Sequence, residues 1–234
     1  MIIYYVIIGF FMLLSWIVSS RLKNKFKKYS QIQLAKDLTG ADVARLMLAD
    51  NGIHDVKVTS VSGELTDHYN PTNKTVNLSE AVYMGRNAAA TAVAAHECGH
   101  AVQHATAYSM LGFRSAMVPI QNISGTIQQI VMIALFVGGA FVYNALPTAI
   151  LLIVGCNLVF TAFAFVTLPV EYDASKRALA WIEQRGIVNP SEHAMAKDAL
   201  NTAAQTYLVA AIGALASLLF WVMMLNRRRP RATS

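Results

Sequence analysis

Residues 119–168 read PIQNISGTIQQIVMIALFVGGAFVYNALPTAILLIVGCNLVFTAFAFVTL, a stretch of 50 residues without a single Asp, Glu, Lys or Arg. A helix needs about 20 apolar residues to cross a bilayer, so this stretch is long enough for two membrane spans. Near its middle, residues 144–147 (NALP) combine types that favour a turn. We therefore predict two membrane helices that are joined as a hairpin.

Two further apolar segments lie near the two ends of the sequence. Residues 2–18 carry no charge and are followed by a basic cluster at residues 21–28, and residues 207–225 are followed by another at residues 226–231. A cleaved signal peptide would have its positive charge before the apolar stretch, so we predict that the first segment is retained as an anchor. The simplest count is four membrane spans, and the lipid bilayer is an expected partner.

The composition favours a membrane protein and argues against a nucleic-acid-binding one. Of the 234 residues, 55% are hydrophobic and 14% are charged, whereas about 25% are charged in ordinary soluble domains. The net charge of +6 comes largely from basic residues beside the apolar segments, which is typical of juxtamembrane sequence. No nucleic-acid-binding motif accompanies these residues, so we predict no nucleic-acid partner.

The segment between the first anchor and the charge-free stretch has the pattern of a small α+β fold. Residues 39–42 (TGAD) have the spacing of a capping box and predict a short helix that stops at Gly52. Residues 56–61 alternate at period two and predict a strand, and residues 65–78 have the pattern of a hairpin. The Ala-rich residues 88–95 predict a helix directly after the hairpin.

That predicted helix carries the sequence His96-Glu97-Cys98-Gly99-His100. Histidines four residues apart lie on one helix face with about 5–6 Å between their Cβ atoms, so both can reach a single metal ion. Glu97 follows the first histidine and can contact a water on the metal without binding the metal itself. This is the H-E-x-x-H motif of zinc metallopeptidases, with two zinc ligands and a general base. Gly99 costs the helix about 1 kcal/mol relative to Ala, which suggests a close packing contact there.

A catalytic zinc has three protein ligands, so a third ligand is needed. His104 lies on the same helix face, but in an unbroken helix it is about 12 Å from His96 along the axis, so an outer-shell or a packing role suits it better. Glu171 and Asp173 follow the end of the charge-free stretch. Helical residues two apart point about 200° apart, so only one of them can be the ligand, and their spacing does not choose between them. The other would orient a ligand or pair with Arg177.

Five stretches of the sequence together have the pattern of a known group. They are TGADVA at residues 39–44, GELTDHYNP at 63–71, VNLSE at 76–80, AHECGHAVQH at 95–104 and LPVEYDAS at 168–175. These stretches resemble the neutral zinc metallopeptidases of bacteria, the YugP-like membrane zinc peptidases. That group is also similar to the membrane zinc proteases of the prenyl-protein and heat-shock type. The resemblance implies that Glu171 is the third ligand, that Asp173 lies in the outer shell, and that one Zn²⁺ is bound.

The expected function is zinc-dependent hydrolysis of peptide bonds in peptides or membrane proteins. Zinc held by His96, His100 and Glu171 would activate a water, and Glu97 would take its proton as the general base. His68 on the predicted hairpin is a candidate for polarising the substrate carbonyl and, equally, for a structural hydrogen bond. The alternative is a non-catalytic zinc-binding membrane scaffold or assembly factor, which has no need for Glu97. A third hypothesis is a zinc hydrolase that acts on a non-peptide bond.

We therefore predict a mainly α, multi-span membrane protein with a zincin-like α+β metallopeptidase portion, in which a small β-hairpin or sheet lies beside the H-E-x-x-H helix. The expected location is the bacterial plasma membrane. Basic residues after the first span predict that the metal site is on the cytoplasmic side. The predicted divisions are an N-terminal anchor (1–20), the metallopeptidase portion with the metal helix (21–118), a two-span hairpin (119–169), the second part of the metal site with its helix (170–206), and a C-terminal span with a basic tail (207–234).

Overall fold

A computed structural model describes residues 2–138 and 145–227 of the chain. The fold is mainly helical with one small sheet, which confirms the predicted fold class. In chain order the elements are α1 Ile2–Tyr29, α2 Gly40–Asp50, β1 Lys57–Val61, β2 His68–Asn70, β3 Thr75–Ser79, α3 Glu80–Tyr83, α4 Ala88–Ala105, α5 Ser109–Val137, α6 Leu146–Gln184 and α7 Pro190–Asn226.

Four helices within the described residues are long and apolar enough to cross a membrane, which is the number that the sequence predicts. They are α1, α5, α6 and α7. Each is longer than the roughly 20 residues that a bilayer requires, so each also includes polar sequence beyond its apolar part. The predicted turn at residues 144–147 lies partly outside the described residues, and the basic tail lies outside them from residue 228 onward.

The chain forms two compact units. The first, which we name the helical unit, comprises Met1–Ser15, Phe113–Leu168 and Tyr207–Ser234. The second, which we name the mixed unit, comprises Trp16–Gly112 and Pro169–Thr206. The sheet and helices α2, α3 and α4 belong to the mixed unit, together with the polar end of α6.

The sheet of the mixed unit has three strands in the order β1-β3-β2. β1 is parallel to β3, and β2 is antiparallel to β3, so the predicted strand and hairpin are confirmed. Val76 and Leu78 of β3 are fully buried and pack in one core with Val43 and Met47 of α2. Because β2 pairs with β3 alone in the order β1-β3-β2, it forms an edge of the sheet.

Both helix starts predicted in this region are present. The Thr39 side chain accepts a hydrogen bond from the backbone N–H of Asp42, and the Asp42 side chain accepts one from the backbone N–H of Thr39, which completes the capping box of α2. At α4, the side chain of Asn87 accepts a hydrogen bond from the backbone N–H of Ala90. Because most residues of α4 are alanine or other small types, neighbouring elements approach it closely and bury it.

Candidate metal centre

The candidate metal centre lies between α4 and α6 within the mixed unit. α4 presents His96 and His100 one helical turn apart, and the polar end of α6 presents Glu171. The Oε2 atom of Glu171 lies 3.3 Å from Nε2 of His96 and 3.6 Å from Nε2 of His100. One ligand atom from each of the three residues lies within 4.8 Å of the others. Folding thus brings the two motif histidines together with Glu171, the carboxylate that the resemblance implied.

The two separations between Glu171 and the histidines are compatible with zinc. Two histidines and a glutamate are a known ligand set of catalytic zinc, with Zn–N distances of about 2.0–2.1 Å and Zn–O distances of about 2.0–2.2 Å. At such distances two ligands of a tetrahedral ion lie about 3.4 Å apart. The observed separations of 3.3 and 3.6 Å match this value. The three residues are therefore placed so that they could hold one metal ion.

The centre is shielded from solvent, and its charges compensate each other. The side chain of Glu171 is 3% exposed, and those of His100 and His96 are 10% and 14% exposed. Burial lowers the pKa of His100, but hydrogen bonding to Glu171 and the negative charge of Glu97 outweigh it, so the pKa lies above its ordinary value. The negative charges of Glu171 and Glu97 therefore favour a positive charge at this place.

A glycine allows α4 and α6 to approach each other at the centre. A Cβ atom placed on Gly99 would lie 2.6 Å from the carbonyl oxygen of Ala174 and 3.1 Å from its Cα. Both atoms belong to the backbone of α6, which cannot turn aside as a flexible side chain can. The close packing contact that the sequence suggests at Gly99 is therefore present, and it lies between His96 and His100.

Each imidazole is oriented by a hydrogen bond through its second nitrogen. Nδ1 of His96 lies 3.1 Å from Oγ of Ser175, and Nδ1 of His100 lies 3.0 Å from Oε1 of Gln103. Because an amide oxygen only accepts, Nδ1 of His100 carries a proton, which leaves Nε2 as the nitrogen that would face a metal ion. Both rings thus turn Nε2 towards Glu171.

Gln103 is fully buried and connects His100 to α6. Its Nε2 donates to the carbonyl oxygen of Val170 and to Oδ2 of Asp173, each at 2.8 Å. Nε of Arg177 donates to the same oxygen of Asp173 at 2.6 Å. The structure therefore places Asp173 outside the ligand group. It fixes Gln103, which holds His100, and it also pairs with Arg177.

Glu97 is buried beside the ligands but points to the sheet. Its Oε2 accepts a hydrogen bond of 3.0 Å from the backbone N–H of Tyr69 in edge strand β2. The hydroxyl of Tyr69 lies 2.7 Å from Nδ1 of His104, so Tyr69 contacts α4 at two places. His104 itself is exposed and lies outside the ligand group, because α4 continues unbroken to Ala105.

His68 lies on the exposed side of the hairpin. Its Nδ1 lies 2.7 Å from the carbonyl oxygen of Thr66, and its Nε2 lies 3.3 Å from Nδ2 of Asn77. A carbonyl oxygen accepts and an amide nitrogen donates, so Nδ1 carries the proton and Nε2 accepts. Both nitrogens are thus engaged within the hairpin, and of the two roles left open by the sequence this arrangement favours the structural one.

Three contacts around the centre were not found from the sequence. Neither Ser175 nor Gln103 was predicted to contact a ligand of the centre. Gln103 is three residues after His100, a spacing that places side chains on one helix face and could have indicated the contact. Tyr69 contacts Glu97 through its backbone N–H, so the type of its side chain gives no indication of this contact.

The fold and the centre together define a protein with helices of membrane-spanning length and an H-E-x-x-H helix whose histidines meet a carboxylate of a second helix. Residues 4–226 match the profile of the family described as "Putative neutral zinc metallopeptidase". The chain is also 39% identical over 216 residues to "Putative membrane protease YugP" of Bacillus subtilis (strain 168), an alignment that covers 92% of this chain and 93% of that protein. No solved structure is significantly similar to the chain. The chain belongs to the neutral zinc metallopeptidase family, as its resemblance implied.

Proposed function

We propose that the protein is a membrane-embedded zinc endopeptidase that hydrolyses peptide bonds in peptides or membrane proteins. In this proposal His96, His100 and Glu171 hold one Zn²⁺. The observation that carries the proposal is the position of Glu97, which lies beside the ligands without belonging to them and whose carboxylate is held by the backbone N–H of Tyr69. A site that only stored zinc would need the three ligands and would have no use for this carboxylate.

Different residues of the chain have different roles in the proposed hydrolysis. Zinc, when bound, supplies a Lewis acid that polarises a carbonyl group and lowers the pKa of a water. Glu97 takes a proton from the attacking water and passes it to the leaving amine, as a general base and then a general acid. Ser175 and Gln103 keep the imidazoles of His96 and His100 turned to the centre. The short edge strand β2 beside Glu97 offers backbone groups of the kind to which extended peptides bind.

Replacing Glu97 with Gln tests the proposed mechanism. The amide cannot accept the proton, so cleavage should fall by about 10²- to 10⁴-fold or more, while the zinc content should stay near one per chain. The assay incubates the purified, zinc-loaded protein with unfolded polypeptides, with and without a chelator. Glu64→Gln is the matched control, because Glu64 is an exposed carboxylate of the same unit and should be dispensable.

The possible results separate the competing functions. Undiminished cleavage by the Glu97→Gln variant would contradict the mechanism. A native protein that holds zinc but shows no chelator-sensitive cleavage of any peptide would favour the membrane scaffold or assembly factor. Cleavage of a non-peptide bond alone would favour a different zinc hydrolase.

We also propose that the metal centre is on the cytoplasmic side of the membrane. This rests on the basic residues 21–28, since positive charge after the first span is typical of the cytoplasmic side. Glu64→Cys provides a test, because both native cysteines are buried. A membrane-impermeant thiol reagent should label this variant in broken cells and not in intact ones. Equal labelling in intact cells would contradict the assignment.

A further inference from the structure

Helix α5 has a packed face that carries polar side chains and contacts α6 inside the helical unit. Ser124 is buried, and Gln128 accepts a hydrogen bond of 3.2 Å from the side-chain amide of Asn157 in α6. Asn157 in turn accepts a hydrogen bond of 2.8 Å from the hydroxyl of Ser217 in α7. Polar groups on this face therefore connect three helices.

The opposite face of α5 carries a second set of polar residues, which we name the amide stripe: Asn122, Thr126 and Gln129. All three are exposed, and at 100° per residue they lie within about 60° of one another around the helix. Thr126 donates a hydrogen bond to the backbone carbonyl of Asn122 in its own helix. Within residues 2–138 and 145–227, the side-chain amides of Asn122 and Gln129 make no hydrogen bond.

The amide stripe lies in the middle of a candidate membrane span. Asn122 is eight residues after Arg114, the last charged residue before the charge-free stretch, and Gln129 is eight residues before the end of α5 at Val137. At 1.5 Å per residue, each is about 12 Å from the nearer end of the apolar part of the helix. An amide without a partner costs several kcal/mol in hydrocarbon. A partner for the stripe is therefore strongly favoured.

We propose that the partner is a second copy of this chain, which packs its own α5 in parallel against the amide stripe around a two-fold axis along the membrane normal. Two copies inserted in the same orientation place Asn122 beside Asn122 and Gln129 beside Gln129 at equal depths. Each amide is both a donor and an acceptor, so the stripe is complementary to itself. Gly125 adjoins the stripe, and a Cβ there would meet nothing within 4 Å, so the two backbones can approach closely. This proposal does not depend on the peptidase function.

Single cysteines in the full-length protein test the interface. Asn122→Cys and Gln129→Cys should each form a disulfide-linked dimer in native membranes under mild oxidation. Ile120→Cys and Ile127→Cys are matched controls with the same seven-residue spacing, and they are also exposed but lie about 160° around the helix. These two variants should form no disulfide-linked dimer, and neither should the native chain, whose two cysteines are buried.

Dissociation in liposomes of increasing lipid-to-protein ratio provides the second measurement. Removing both amides in Asn122→Leu/Gln129→Leu should raise the dimer dissociation constant about tenfold or more, whereas Ile120→Leu/Ile127→Leu should leave it unchanged. A native chain that is monomeric throughout, a double-leucine variant that dimerises as well as the native chain, or equal cross-linking at the control positions would each overturn the proposal. Cross-links from Asn122→Cys to a different membrane protein, with none between copies, would assign the stripe to that other partner and overturn it as well.

Discussion

Replacing Gly99 with Ala tests whether the metal centre depends on the close approach of α4 and α6. The added Cβ would lie 2.6 Å from the carbonyl oxygen of Ala174, whereas carbon–oxygen contacts in proteins lie at about 3.3 Å or more. The contacted atoms are backbone, so one helix must move by about 0.7 Å to relieve the contact. Because Glu171 is one turn before Ala174 in α6, it would move together with it.

The size of this movement decides the expected result. Gly→Ala within a helix ordinarily stabilises it by about 1 kcal/mol, but overpacking costs about 1–3 kcal/mol, so we expect the variant to be less stable. Zinc ligands hold their distances within about 0.2 Å, and a movement of about 0.7 Å between Glu171 and the two histidines exceeds this several-fold. We expect the zinc affinity to fall about tenfold or more, as it does when groups that position zinc ligands are lost.

Competition with a zinc-binding chromophore measures this affinity in the purified protein, and thermal unfolding of the same samples measures stability. Gly112→Ala is the matched control, because Gly112 also lies in a helix but a Cβ there would meet nothing within 4 Å. That variant should bind zinc as the native protein does. A Gly99→Ala variant that is more stable than the native protein and retains its zinc affinity would contradict this expectation, since α4 and α6 would then have room that the structure does not contain.

Two further predictions concern single hydrogen bonds of the mixed unit. Ser175→Ala removes the hydroxyl oxygen that lies 3.1 Å from Nδ1 of His96. It should raise the zinc dissociation constant by about 10- to 100-fold in the same competition assay. An unchanged dissociation constant would contradict the role of Ser175 in orienting His96. Thr39→Ala removes the cap of α2 and should lower the free energy of unfolding at neutral pH by about 1 kcal/mol, measured by denaturant titration. Hydrogen bonds from Thr39 hold the pKa of Asp42 below 3.8, so this contribution is present above that value and is lost as the pH falls through the lowered pKa. The two proteins should therefore converge in stability in acid, and a gap that widens there would contradict this explanation.

The buried connections of Gln103 have a consequence for the design of inactive variants. Asp173 has a carboxylate two residues after Glu171, so from the sequence it is an alternative candidate for the third ligand. Its contacts are instead with Gln103 and Arg177. A variant at Asp173 would therefore weaken zinc binding indirectly, through His100. Only a variant at Glu97 is expected to separate zinc binding from cleavage.

Much of the fold was predictable because its signals are local. The anchors and the charge-free stretch follow from the absence of charges over lengths that match a bilayer. The capping box at Thr39 and Asp42 depends on residues three apart. The strand and hairpin follow from alternation and turn residues. All of these signals lie in continuous stretches of sequence, and the described residues form the corresponding helices and strands.

The distant contacts of the centre were less predictable. Glu171 and Asp173 were equivalent by spacing, and only a resemblance to known proteases favoured Glu171. Ser175 and His96 are separated by 79 positions in the sequence, and nothing in either residue indicates the other. The hydrogen bond between Tyr69 and Glu97 arises from a backbone group, which every residue except proline carries.

The sequence by itself determined the charge-free stretch, the four apolar segments, and a helix that places His96 and His100 on one face with Glu97 beside them. Helix geometry alone decides that placement, since it depends on rise and rotation per residue. Only the tertiary structure decided that Glu171 rather than Asp173 meets these histidines, and that Ser175, Gln103 and the backbone of β2 hold the centre. The contacts between α4 and α6 depend on how closely these two helices pack. Gly99 of α4 faces the backbone carbonyl of Ala174 in α6 and allows this close approach.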